Sequence, residues 1–336
     1  VQVGYAGSAG VGLLGGATDL NQLSPESLAI ARQLSGNTPT GNLTVANPFL
    51  NLPLDQRPPA NSILGKATVT VAQLLRPYPQ FGNIVSYGQN LSHSSYHSGQ
   101  VKVSRRFVGG FTFTGAYTYS KSIDDLTSNS LNLSFSVLNY QDYNNLRADK
   151  GLSNFDITHR GVGSFTWELP FGKGRRYLKS GIGAKLFGGI SLSGITQAQS
   201  GLPISVSATN ASLQGLGFIA LRPNLVGDPA AAGGTDRLTQ YFNTAAFQQP
   251  AQYTFGSAPR TLSGLRSPGF ATSSVSVARE IRIREGLQVQ LRAEGFNVFN
   301  RANFGAPGSV LGASGFGVIS STEDPRLLQF AARVSW

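Results

Sequence analysis

Eight stretches of the chain alternate apolar and polar residues with a period of two. The first runs Val1–Tyr5, with Val1, Val3 and Tyr5 against Gln2 and Gly4. Others follow at Gly99–Phe107, Phe111–Ser120, Arg160–Leu169, Ile190–Gly194, Ser274–Ile283, Leu287–Glu294 and Leu328–Trp336. Period two puts one set of side chains on each face of a sheet. In a soluble sandwich the apolar face is core; in a membrane barrel it meets lipid, and the polar face lines the lumen. Alternation alone does not choose between them. Arg105 and Arg279 interrupt the apolar face near the short-turn end, where a long basic side chain can snorkel to headgroups.

The connections discriminate better. The second and third stretches are joined by Val108-Gly109-Gly110, the sixth and seventh by Arg284-Glu285-Gly286, and the fourth and fifth by a moderate segment around Phe171–Arg176. The other connections are long, roughly 9–95, 122–156, 200–270 and 301–325. Such loops are uncommon in compact soluble domains. Strict alternation of short and long connections is the pattern of outer-membrane barrels, whose short turns are periplasmic and long loops extracellular. Ser24–Gln33, with Ser24 as N-cap and Pro25 at the first helical position, predicts one helix inside the first long loop. The fold class read here is therefore all-β, an antiparallel transmembrane β-barrel over 1–336.

Composition supports this. Only 13% of residues are charged, against roughly 25% in soluble domains. No run of about 18 apolar residues exists to make a transmembrane helix. The 41 glycines suit strands of small and apolar residues, and the lack of cysteine excludes thiolate metal sites and thiol catalysis. The net charge of +11 raises nucleic acid as a partner, but the basic residues are scattered. Their densest group is Lys173, Arg175, Arg176 and Lys179, in a turn, so no nucleic-acid partner is expected. The chain opens on Val1 without the charged and apolar regions of a signal peptide, so it is expected to be a C-terminal fragment of an exported protein.

Candidate chemistry is sparse. His93 and His97 are four apart but flank a Ser-rich junction, so a solvated loop pair outweighs a metal site. His159 is expected to make a rim hydrogen bond. Asp124, Asp125, Asp142, Asp149 and Asp156 form a loose acidic group without a calcium-loop pattern, expected to serve Asx turns and solvation. Gly312–Gly317 lacks a phosphate-loop lysine and reads as a flexible loop. Phe111, Phe113, Tyr117 and Tyr119 read as a lipid-facing band with interfacial girdles. No nucleophile, base and orienter come together in the sequence, so no enzyme and no cofactor are expected. Gln288, Gln290, Arg292, Glu294, Gln329 and Arg333 are the expected lumen-facing residues, with roles in solvation, plug contact or substrate contact. Leu328, Phe330, Val334 and Trp336 look like the C-terminal signal read by the barrel-assembly machinery; a soluble edge strand ending in Trp is the plainer alternative.

Several segments carry a resemblance. They are Leu75–Phe81 (LRPYPQF), Tyr117–Asp125 (YTYSKSIDD), Phe155–Arg160 (FDITHR), Glu168–Gly172 (ELPFG), Gln199–Pro203 (QSGLP) and Arg222–Asn224 (RPN). The most telling is Arg292–Gly305 (RAEGFNVFNRANFG). In this order they resemble the C-terminal barrel region of Oar-like TonB-dependent receptors, which carry an N-terminal carboxypeptidase-regulatory-like domain. The resemblance implies a barrel of about 22 strands around a plug. It also implies a periplasmic segment that engages a TonB-type energy-coupling protein. This chain would supply the last eight strands. The function so implied is energised uptake of an unidentified nutrient or chelate, an extracellular ligand captured by the long loops. A surface structural or adhesion role is the alternative. A stand-alone eight-stranded barrel is geometrically allowed. Strands cut from a wide barrel carry the wrong curvature for that, so an open sheet is expected, with Val1–Tyr5 and Leu327–Trp336 as its edges. The expected partners are outer-membrane lipid, the barrel-assembly machinery, the energy-coupling protein and that ligand.

Overall fold

A computed structural model describes residues 1–15, 18–36, 43–86, 88–125, 140–209, 213, 221–230 and 237–336. All eight predicted strands form: β1 (Gln2–Leu13), β2 (Ser92–Val108), β3 (Phe111–Asp124), β4 (His159–Glu168), β5 (Ile190–Gln199), β6 (Phe270–Arg284), β7 (Leu287–Phe296) and β8 (Leu327–Ser335). They lie in chain order in one antiparallel sheet, with Gly151–Leu152 added beside β3. The sheet is open. β1 and β8 are its edges and do not pair, as expected, so the stand-alone eight-stranded barrel does not form. Among the described residues no helix is long and apolar enough to cross a membrane.

The ladder carries the two faces without a slip through the heart of the sheet. One row joins Phe111, Trp167, Leu192, Val277, Ala293 and Phe330, and the next joins Phe113, Phe165, Gly194, Val275, Gly295 and Leu328. The offset row on the other face is Thr112, Thr166, Ser193, Ser276, Glu294 and Gln329. Directly opposed residues share a face, so the apolar and polar sets of the separate stretches merge into two continuous surfaces. Gly194 serves this packing. The Phe165 ring lies where a Cβ on Gly194 would stand, 2.6 Å away, so the aromatic covers the bare backbone of the next strand.

Several strands outrun the alternation. β1 continues through Gly7–Leu13, and β2 begins at Ser92 rather than Gly99. There most residues are small or polar on both faces, with Val11, Leu13 and Tyr96 the exceptions, as on a ladder that has left the apolar band. The side chain of Phe107 lies outside the described residues. The turn Gly109-Gly110 has positive φ at both positions (64° and 80°), the requirement of a two-residue type I′ hairpin. Glu285-Gly286 closes β6–β7 beside a bulge at Arg282/Arg284. The predicted helix forms as α1 (Pro25–Ser35), and Ser24 Oγ accepts from Ser27 N at 3.2 Å. Two short helices join it, α2 (Val71–Leu74) and α3 (Gly181–Phe187).

The buried apolar clusters lie in the long connections rather than in the sheet. One gathers Leu23, Leu28 and Ala31 from the first connection with Ala72, Leu213, Leu221 and Tyr253. The other joins Ile204, Val206, Phe242, Phe247, Leu262 and Leu265, with Leu311 and Phe316 packed on it. The connections thus form a cap with its own cores. Gly312–Gly317, expected to be flexible, is an ordered turn: Phe316 meets Phe242 and Phe247 edge-on at 5.2 and 5.8 Å, and Gly317 N donates to Gly308 O at 2.8 Å. One aromatic anchors the glycine run.

Candidate functional site

The acidic group departs most from expectation. Asp124 ends β3, while Asp149 and Asp156 follow in the second connection; each is almost fully buried and faces an arginine from the third connection. Asp124 pairs with Arg260, Asp149 with Arg222 and Asp156 with Arg266. These are structural ion pairs, not solvated turns. Arg260 is the hub: its Nε donates to Asp149 O at 2.7 Å, Nη1 to Asn154 Oδ1 at 3.3 Å, and Nη2 to Asp124 O at 2.9 Å and to Asp124 Oδ1. Asp156 is equally well used, since its Oδ1 accepts from Ser122 N at 2.6 Å and Oδ2 from Arg266. Asp149 is less well served. Its Oδ2 and Arg222 Nε are buried without a hydrogen-bond partner among the described residues. Burial pushes the Asp149 carboxyl above the usual aspartate range, and Arg222 and Arg260 pull it back only in part. A raised carboxyl pKa means that the stability it contributes is full below the ordinary aspartate value and is lost as pH rises through the raised one. Asp142 serves a local role, capping a 3-10 turn through Asn144 N at 2.9 Å, whereas Asp125 reaches the neighbouring strand, its Oδ1 accepting from His93 N at 2.6 Å.

Side-chain amides complete the fastening. Asn21 is fully buried and donates to Gly82 O at 2.7 Å and Tyr78 O at 2.9 Å, while Tyr78 N donates back to its Oδ1. Gln141 links the second and third connections through Gly256 O and Arg222 N. At the end of β7, Asn297 and Asn300 adopt positive φ (47° and 51°), a conformation asparagine tolerates. Asn297 Oδ1 accepts from Arg301 N at 3.1 Å, and Asn300 Oδ1 from Arg326 N at 3.1 Å. A groove of about 610 Å³ opens between α1 and Tyr253–Phe255, with Arg32 and Asp142 among its lining residues.

The histidines act singly. His97 Nδ1 bonds Tyr5 OH at 2.6 Å, His159 Nδ1 bonds Tyr117 OH at 2.7 Å, and His93 pairs with Asp125 at 3.1 Å. Among the described residues no group of three metal-ligating side chains occurs. His97 and His159 sit with Tyr5, Tyr117 and Tyr119 toward the cap end of the apolar face, and Phe111 with Trp167 at the turn end. Phe111 and Tyr119 are eight residues apart on β3. That is about 20 Å of height for a strand tilted near 40°.

The predicted polar set comes together. Gln290 opposes Arg333 and Glu294 opposes Gln329, while Gln288 and Arg292 face Ser335 and Ala331 on the same surface. Arg292 lies 3.6 Å from Glu294 Oε1 and donates to Gln290 Oε1 at 3.3 Å. Leu328, Phe330 and Val334 project from the opposite face of β8, and Trp336 lies past its end, 92% exposed. Arg279 stands on the apolar face opposite Ile190 and Leu291 and donates through Nη2 to the Lys185 carbonyl of α3.

No curated protein and no solved structure matches the chain. A family model described as an outer membrane beta barrel domain matches residues 1–329. An antiparallel meander with one continuous apolar face, aromatic residues near both ends of it and its packed cores confined to the long loops is what such a domain requires. The chain belongs to the outer membrane beta barrel domain family and resides in the bacterial outer membrane.

Proposed function

We propose that this chain forms part of the wall and the extracellular cap of a TonB-dependent receptor that takes up a nutrient or chelate. The observation that carries the reading is the open sheet whose polar face bears charged side chains. Lipid cannot satisfy the free edges of β1 and β8, so further strands close the barrel. Gln288, Gln290, Arg292, Glu294, Gln329 and Arg333 then line a lumen wide enough for a plug. In this reading the groove between α1 and Tyr253–Phe255 offers the ligand an aromatic wall and both signs of charge. The work is binding and gating, with no bond chemistry and no cofactor. The expected partners are lipid, the barrel-assembly machinery, the ligand and a TonB-type protein.

The test is uptake in cells. Deleting the gene is expected to abolish accumulation of at least one chelate at limiting concentration. Collapsing the inner-membrane proton gradient is expected to abolish the same flux in the wild type. Flux that survives collapse would rule out energised transport. The packed cap favours a second reading, a surface protein whose rigid loops bind a matrix. Loss of adhesion on deletion, with all uptake intact, would select it.

A further inference from the structure

We infer that the connection between β4 and β5, residues 169–189, is a membrane-interface foot that binds an anionic phospholipid, with an acyl chain in a groove on the apolar face. The inference rests on outer-membrane residence and not on transport. The other two turns on this side are two residues each, Gly109-Gly110 and Glu285-Gly286. This one instead builds α3. It contains Lys173, Arg175, Arg176, Lys179 and Lys185 and no acidic residue. Glu168 neutralises Arg175 at 2.6 Å, and Arg176 lies 5.3 Å from the centre of the Tyr177 ring. Lys173, Lys179 and Lys185 form no ion pair with any described residue. The same segment exposes Tyr177, Leu178, Leu186, Phe187 and Ile182, the last 77% exposed. Apolar side chains and cations side by side on one short amphipathic segment match the boundary between headgroups and acyl chains.

Arg279 places α3 against the sheet. It stands on the apolar face opposite Ile190 and Leu291, and its Nη2 holds the Lys185 carbonyl. Its Nε is buried with no hydrogen-bond partner among the described residues. Arg279 also lines a groove of about 580 Å³, together with Ile190, Val277, Leu291, Ala293, Phe330 and Ala332 of the apolar face and with Arg292 and Ala331 beside them. A cationic foot at one end of an apolar groove that itself faces lipid matches a phosphate joined to an acyl chain. Short turns face the periplasm, so the lipid belongs to the periplasmic leaflet.

The test uses the full-length protein in nanodiscs, with lipids that survive detergent exchange counted by native mass spectrometry. In discs of equal phosphatidylcholine and phosphatidylglycerol, the wild type is expected to retain phosphatidylglycerol in excess. Replacing Lys173, Lys179 and Lys185 together by Gln is expected to remove that excess, at about fivefold in relative affinity per cation. Ala332→Trp fills the groove and leaves the charges in place; it is expected to lower retention of both lipids. Inorganic phosphate at millimolar concentration is expected not to displace the lipid. A fluorophore on Ile182→Cys is expected to be quenched by lipid-borne nitroxide and shielded from iodide. Equal retention of the two lipids by the wild type would overturn the proposal, as would an excess that survives the triple substitution. Displacement by phosphate alone would reassign the site to a free anion. A label open to iodide would put the foot in the periplasm, facing an acidic protein, and would equally sink the lipid assignment.

Discussion

Replacing Arg260 by Met is expected to loosen the cap by about 3–5 kcal/mol, the usual cost of leaving one buried ion without its partner. The Asp124 side chain is 2% exposed, so water cannot substitute for the lost guanidinium. The same change removes the donor to the carbonyls of Asp124 and Asp149 and to Asn154 Oδ1. Amide hydrogen exchange over 140–156 should accelerate by at least a hundredfold while the strands stay protected. Exchange within about twofold of wild type would refute the hub role. The Asp149–Arg222 pair should behave differently. It is imperfectly satisfied, so replacing both partners together, Asp149→Leu with Arg222→Met, is expected to cost under about 1 kcal/mol, because apolar replacements of a buried pair are often neutral.

Val277→Arg is expected to destabilise the barrel by about 2–4 kcal/mol, and Ser276→Arg by less than about 1 kcal/mol. The two residues are neighbours in the middle of β6 but belong to opposite faces. Val277 sits between Leu192 and Ala293, in the band that meets hydrocarbon. Ser276 sits between Ser193 and Glu294, where a cation finds an acid. Reversible unfolding in lipid vesicles measures both. Equal losses would mean that the assignment of faces is wrong.

The strand faces were legible because a period of two maps sequence directly onto sheet geometry, and every strand crossing the apolar band shows it. Beyond that band the signal fades. Ser92–His97 and Gly7–Gly10 are in the ladder, but water on both sides removes the reason to alternate. α1 was legible from Ser24-Pro25; α3, carrying Gly181 and Gly183, has poor intrinsic propensity and forms against Arg279. The acidic residues were visible, but their partners were not: Asp124 and Arg260 are 136 positions apart, and nothing local joins them. The members of the polar set on β7 and β8 share one face because they alternate in register on adjacent strands. Four of the segments that carry the resemblance are fasteners. Asp124 and Asp156 fall within two of them, Arg222 opens a third, and Asn297 and Asn300 turn the chain in the last.

The three ion pairs also bear on the order of assembly. Each strand pairs with the next along the chain, so the sheet can grow hairpin by hairpin. The pairs Asp124–Arg260, Asp149–Arg222 and Asp156–Arg266 join loops separated by two further strands. They can close only after both loops have reached the outer surface. Once closed, retreat of either loop would first have to break them and then carry charges through hydrocarbon, at roughly 3 kcal/mol each. The cap therefore acts as a ratchet on membrane insertion: a half-threaded chain slips back easily, and a fully threaded one is held.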